Sequence, residues 1–278
     1  MTEWLSSSIR NTTPRAQIEM ERYQTAANTI RAAGVEPRRG EEAYIRDRTY
    51  GQGDHSQMNT ISALIEELKN DDCDVRWHAA RALRWTKDAR AIDALMRALK
   101  DVDCNVRWSA AESLVIIGDA AVKPLVTALR DADTDVRWRA AWALGRLKDT
   151  AAVDALLDAL GDNDPDIRWR AAWALGQIGD VRVVDRLTRA LEDSYSNVRW
   201  SAAEALGTIG DEQAVEPLVR LLNNHREQTI IRLVAADSLG KIGAPQAEAA
   251  LEAVILQDEF APIHETARNA LERIKKRE

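Results

Sequence analysis

Phenylalanine is nearly missing from this chain: one Phe and four Tyr stand beside nine Trp in 278 residues. A packed core normally draws on Phe freely, whereas Trp prefers half-wet surfaces, so the aromatic supply points to a surface role. Cysteine is equally scarce. Cys73 and Cys104 lie four residues before Trp77 and Trp108, in matching positions of adjacent sequence units. Stacked helical units sit about 8–10 Å apart, beyond the roughly 7 Å that a disulfide tolerates between Cα atoms, so two free thiols are expected. The four histidines, His55, His78, His225 and His264, are isolated, and a metal site needs a cluster at fixed spacing. No Gly-rich phosphate loop or nucleophile elbow occurs, so no catalytic residue is assigned. Basic excess is also lacking: the formal charge is -7, which opposes a general grip on nucleic acid or anionic lipid. There is no apolar run of about 18 residues and no charged-then-apolar leader. The expectation is a cytoplasmic chain with no membrane contact.

What is present is a repeat. Trp77, Trp108, Trp138, Trp169 and Trp200 follow one another at intervals of 31, 30, 31 and 31 residues, and Leu233 and Glu265 continue the register after 33 and 32. Periods of this length dictate the architecture. Each of about seven units reads as a first helix such as 121–131, an Asp-rich turn, and a second helix such as 135–147. Asp72, Asp103, Asp133 and Asp164, each five residues before a register Trp, suit N-caps, and Pro165 suits the first helical position. Gly118, Gly179, Gly210 and Gly243 follow second helices, where a left-handed residue is wanted. The repeats span 58–278. Residues 1–57 lack the pattern and read as an N-terminal helix over 13–33 and an irregular arm, which could cap the first units or contact the repeats' own binding face.

At about 100° per residue, Val136, Ala140, Ala143, Leu144 and Leu147 gather on one side of the second helix, while Trp138, Arg139, Trp142 and Arg146 project from the other. The corresponding outward residues elsewhere are Trp77, His78, Arg81 and Trp85; Trp108 and Glu112; Trp169, Arg170 and Trp173; Trp200 and Glu204. Together they form the expected ligand- or partner-binding stripe. Aromatic and guanidinium groups in one stripe suit extended peptides, partner helices or flat ligands. A competing reading makes the indoles a ladder packing repeat on repeat. A second column, Arg76, Arg107, Arg137, Arg168, Arg199 and Arg232, falls at the flank between units and reads as an inter-repeat hydrogen-bond ladder.

The fragments VRWSAAEALGTIG (198–210), AVEPLV (214–219) and 167–179 resemble the HEAT-like repeats of the phycobilisome lyase family, over about 220 residues. That resemblance implies an all-α solenoid of antiparallel helix pairs in a right-handed superhelix, with second helices lining the concave side. It leaves function open, because such repeats serve chromophore lyases, scaffolds and other enzymes. The HEAT-like deoxyhypusine hydroxylases are similar in architecture and hold two irons through repeated His-Glu pairs. Here the single pair, His264-Glu265, has its His in the Arg column, so a di-iron site is not expected. The function expected is a non-catalytic scaffold gripping a protein or peptide segment on a Trp/Arg-lined concave face, with no cofactor. Bilin binding or ligation is the alternative. Nucleic-acid binding through Arg81, Arg139, Arg146 and Arg170 ranks third, because the acidic surroundings oppose it.

Overall fold

The computed structural model describes residues 61–257 and 261–276. The 57/58 boundary, the 13–33 helix and any self-contact by the arm fall outside these residues. Every described element is helical. Short first helices alternate with long second helices: α1 (61–67), α2 (Cys73–Thr86), α3 (Ile92–Ala98), α4 (Cys104–Ile117), α5 (Val122–Ala128), α6 (Thr134–Leu147), α7 (Val153–Ala159), α8 (Pro165–Ile178), α9 (Val184–Ala190), α10 (Ser196–Ile209), α11 (Val215–Asn223), α12 (Thr229–Ile242), α13 (Glu248–Gln257) and α14 (Ala261–Lys275). These make seven pairs, the number expected from the register. They fall into two compact units, 61–147 and 148–276 among the described residues. The fold class is an all-α solenoid, and no helix among the described residues is long and apolar enough to cross a membrane.

The expected punctuation starts and stops these helices. Asp72, Asp103, Asp133 and Asp164 accept hydrogen bonds from the backbone N–H groups two residues on, at 2.8–2.9 Å, satisfying donors that the first turn leaves unpaired. Gly179, Gly210 and Gly243 close their helices with φ between 77° and 79°, and Gly118 does so at 90°. Lys87 and Lys148 take the same place at 50° and 58°, a conformation costly for residues bearing a Cβ.

Within each unit the core lies between the two helix layers. Leu95, Leu125, Leu156, Leu187, Leu218 and Leu251 of the first helices and Leu83, Leu114, Leu144, Leu175, Leu206 and Leu239 of the second are all without solvent exposure. The paired alanines two and three residues past the register position, such as Ala110 and Ala111 or Ala202 and Ala203, are likewise sealed. Small side chains there let neighbouring second helices approach closely. In the 148–276 unit the approach is closest at glycine: a Cβ on Gly176 would lie 2.6 Å from Ala205 Cβ, and one on Gly240 would lie 2.7 Å from Ala270 Cα. Buried hydroxyls add direct links. Ser113 Oγ donates to the Ala80 carbonyl at 2.7 Å and Ser238 Oγ to the Ala203 carbonyl at 2.8 Å.

Arg76, Arg107, Arg168 and Arg199 of the Arg column form the inter-repeat ladder expected, while Arg232 donates to the Leu222 carbonyl of its own repeat. Arg76 donates through Nε and Nη2 to both carboxylate oxygens of Asp101, in the next unit's turn, and through Nη1 to carbonyls of its own turn. Arg168 repeats this with Asp193, and Arg199 with Glu227. Arg107 reaches Asp135 instead, and Lys100 takes Asp131.

Candidate functional site

The candidate site is the face of the second helices, and each compact unit carries its own part of it. In 61–147, α2 supplies Trp77, His78, Arg81 and Trp85, α4 supplies Trp108 and Glu112, and α6 supplies Trp138, Arg139, Trp142 and Arg146. The indole of Trp108 lies 4.5 Å from that of Trp142 and 6.3 Å from that of Trp138, centroid to centroid. The Arg146 guanidinium sits 5.6 Å from the Trp142 ring, Arg81 lies 5.0 Å from Trp77, and the Trp77 and His78 rings are 4.6 Å apart. These distances are those of aromatic and cation–π contacts. The structure thus brings Trp108, Trp138, Trp142 and Arg146 into one cluster and keeps Trp77, His78 and Arg81 in another.

Exposure along the face is uneven. Trp138 and Trp142 are 2% and 4% exposed, and Arg139 is 5% exposed, whereas the wheel of an isolated helix directs all three to solvent. Azimuth around one helix does not set exposure when a neighbouring helix of the same layer lies alongside. Trp108 overlaps both indoles of α6, and Arg139 turns back to the Asp135 carboxylate at 3.2 Å. Interdigitation of this kind belongs to the ladder reading. Trp77 and Trp108 are half-buried, and Trp85 is 49% exposed. At the same register of the next second helix, Ile116 is 42% exposed, and it lies outside the residues expected from sequence. Its register is the signal that identifies it: Ile116 is eight residues past Trp108, as Trp85 is eight past Trp77. Arg84 also joins the face, its Nη2 donating to Glu112 Oε2 at 2.6 Å.

In 148–276 the face carries Trp169, Arg170 and Trp173 on α8, Trp200 and Glu204 on α10, and Asp237 and Lys241 on α12. Arg170 has no exposure, and its guanidinium lies 4.2 Å from the Trp169 ring and 5.1 Å from the Trp173 ring. It is a structural cation between two indoles, and Trp169 is buried with it. Trp173, Trp200 and Glu204 are half-buried. Burial pushes the Glu204 carboxyl above its ordinary range, against the pull of Lys241 and with the push of Asp237. Burial also acts to raise Asp237, but hydrogen bonds from Arg273 and Lys241 hold it below the usual carboxylate range. Asp237 is thus satisfied by Arg273 and Lys241, whereas burial disfavours the charge on Glu204.

Cys73 and Cys104 are free, exposed thiols, as expected. Asp72, Cys73 and Asp74 form the one group among the described residues whose ligating atoms are close enough to share a cation, and all three are exposed. His264 and Glu265 lie on α14, the last described helix.

The comparisons agree with this architecture. The family described as HEAT repeats matches residues 61–130, 122–205 and 189–272. No curated protein matches the chain. Among solved structures, the chain is similar to YibA of Escherichia coli, at 18% identity and a TM-score of 0.53 over 84% of this chain and 92% of that one. It is similar also to a chain in the complex of Kap95p with RanGDP, at 13% and 0.54 over 85% and 42%. The complex of CpcE and CpcF of phycocyanin lyase from Nostoc sp. PCC7120 aligns at 26% and 0.46 over 82% and 96%. The matched repeats run through nearly all of the described helices, and the chain belongs to the HEAT-repeat family.

Proposed function

We propose that this HEAT-repeat chain is a non-catalytic scaffold that holds a segment of a partner protein on the face of its second helices. The observation that supports this most is the exposure of Trp85 and Ile116 at the same register of adjacent second helices, with the half-buried indoles of Trp77 and Trp108 on the same helices. Two large apolar side chains held open on one rigid helical layer lose solvent contact only when something covers them, and aromatic anchors of this kind dominate protein–protein recognition. Rigid display is what the surrounding structure provides. The indole ladder, the Arg–Asp links and the Ala-lined helix contacts fix the face before any partner arrives, which lowers the ordering cost of binding.

Affinity capture with the full chain tests this reading. The double variant Trp85→Ala/Ile116→Asp should lose partner proteins that the wild type retains, with unchanged circular dichroism. Lys123→Glu, on the exposed side of first helix α5, should retain them. Equal retention by both variants contradicts the assignment of this face.

A further inference from the structure

We infer that the second-helix face of residues 61–147 takes an acidic amphipathic segment, one in which apolar side chains are interleaved with Asp and Glu. This rests on the scaffold reading and adds the chemistry of the partner. The charge of the chain is divided unevenly. Residues 148–278 hold 16 Lys and Arg against 23 Asp and Glu, which accounts for all of the net charge, while residues 61–147 hold 14 of each. Within 61–147 most acids stand at the starts of helices, where Asp72, Asp103 and Asp133 cap second helices and Asp101 and Asp135 bind the Arg column. On α2 and α4, which carry Trp85 and Ile116, and on α6, Arg81, Arg84 and Arg146 stand against the single acid Glu112 in the helix bodies, while Asp88, paired with Arg90, and Asp119 follow at the ends of α2 and α4.

Glu112 pairs with Arg84 at 2.6 Å, and Arg146 does not share this carboxylate, unlike the residue at its register in a later repeat. In the 148–276 unit, Arg273 occupies the same position as Arg146, and it pairs at 2.6 Å with Asp237, the residue of the preceding repeat that corresponds to Glu112. Lys241, also at that position, reaches Asp237 at 3.0 Å. Arg146 is exposed, lies against the Trp142 ring, and pairs with no carboxylate among the described residues. An exposed guanidinium lying on an indole, at the same register as exposed Trp85 and Ile116 of the two preceding repeats, is complementary to a carboxylate next to an apolar anchor. A nucleic acid strand would also find stacking and guanidinium groups here. The row of aspartates at the starts of α2, α4 and α6 repels a polyanion bearing one charge per nucleotide, whereas a short acidic peptide can keep clear of it.

Selection of a random 16-residue peptide library displayed on phage against the full chain provides the test. Enriched peptides should combine Asp or Glu with Leu, Phe or Trp. In fluorescence anisotropy, Arg146→Glu and Ile116→Asp should each weaken an enriched peptide at least tenfold, and Lys123→Glu should leave its binding unchanged. Enriched peptides that lack acidic residues, yet are lost on Ile116→Asp, would overturn the acidic chemistry and leave the scaffold reading standing. Peptides indifferent to both substitutions, or no enrichment, would overturn both. A labelled 20-nucleotide oligo(U) that binds more tightly than the peptides and is released by Arg146→Glu would overturn the protein assignment in favour of nucleic acid.

Discussion

Replacing Gly207 by alanine should destabilise the chain, although alanine is the better helix former. Alanine in a helix interior is favoured over glycine by about 0.5–1 kcal/mol, and Gly207 lies in the interior of α10. The structure supplies a larger opposing cost. A Cβ at this position would lie 2.5 Å from both Cβ and Oγ of Ser238 and 2.7 Å from its Cα, distances that only a shift of the whole α12 backbone can relieve. Overpacking of a sealed contact costs about 1–3 kcal/mol. The displaced Ser238 hydroxyl would also release its 2.8 Å hydrogen bond to the Ala203 carbonyl, worth about 0.5–1.5 kcal/mol net. The balance is a loss of about 1–3 kcal/mol, or several degrees in Tm for a chain of this size. Urea unfolding followed by circular dichroism reads the loss directly. Unchanged or increased stability in Gly207→Ala would refute the claim that close helix approach, and not chance, keeps glycine there.

Further outcomes follow from the same contacts. Asp193→Asn should cost about 1.5–3 kcal/mol in urea unfolding, because it strips the charged partner from half-buried Arg168. Burial acts to raise the Asp193 carboxyl, but the Arg168 and Tyr195 hydrogen bonds hold it below its ordinary value. Its stabilisation is therefore complete above the unfolded carboxyl pKa of about 3.9 and fades as pH falls through the lower folded value, so the Asp193→Asn deficit should shrink on acidification below pH 4. Glu204 carries the opposite sign. Its folded pKa is raised, chiefly by burial, so Glu204→Gln should increase stability at pH 7, and the gain should vanish below pH 4. Trp138→Ala should destabilise by about 3–5 kcal/mol and Trp85→Ala by under about 0.5 kcal/mol, an order that thermal unfolding of the two variants can check. Both thiols, Cys73 and Cys104, should react with a thiol reagent in the folded protein, and protection of either would contradict its exposure.

The repeat register, the Asp caps, the glycine stops and the Arg column could all be read from spacing, because each is a local consequence of helix geometry. The destination of a long side chain could not. Arg168 finds its carboxylate 25 residues away, in the turn of the following repeat, while the acids nearest in sequence serve as caps or bind elsewhere. Exposure of the indoles was hidden for a related reason. A helical wheel places Trp138 and Trp142 opposite Val136, and only the packing of α4 alongside α6 shows that Trp108 covers them. Ile116, a single aliphatic residue at a helix end, carries no compositional signal. Its meaning comes from standing level with Trp85 on the adjacent helix.

Site-specific photo-crosslinking within cells tests most directly whether the second-helix face is where this scaffold meets its partner. With a benzophenone amino acid at position 116 on α4, or at position 123 on α5, the account predicts a discrete protein adduct from 116 and none from 123. Adducts from 123 alone, or equal adducts from both, would contradict it.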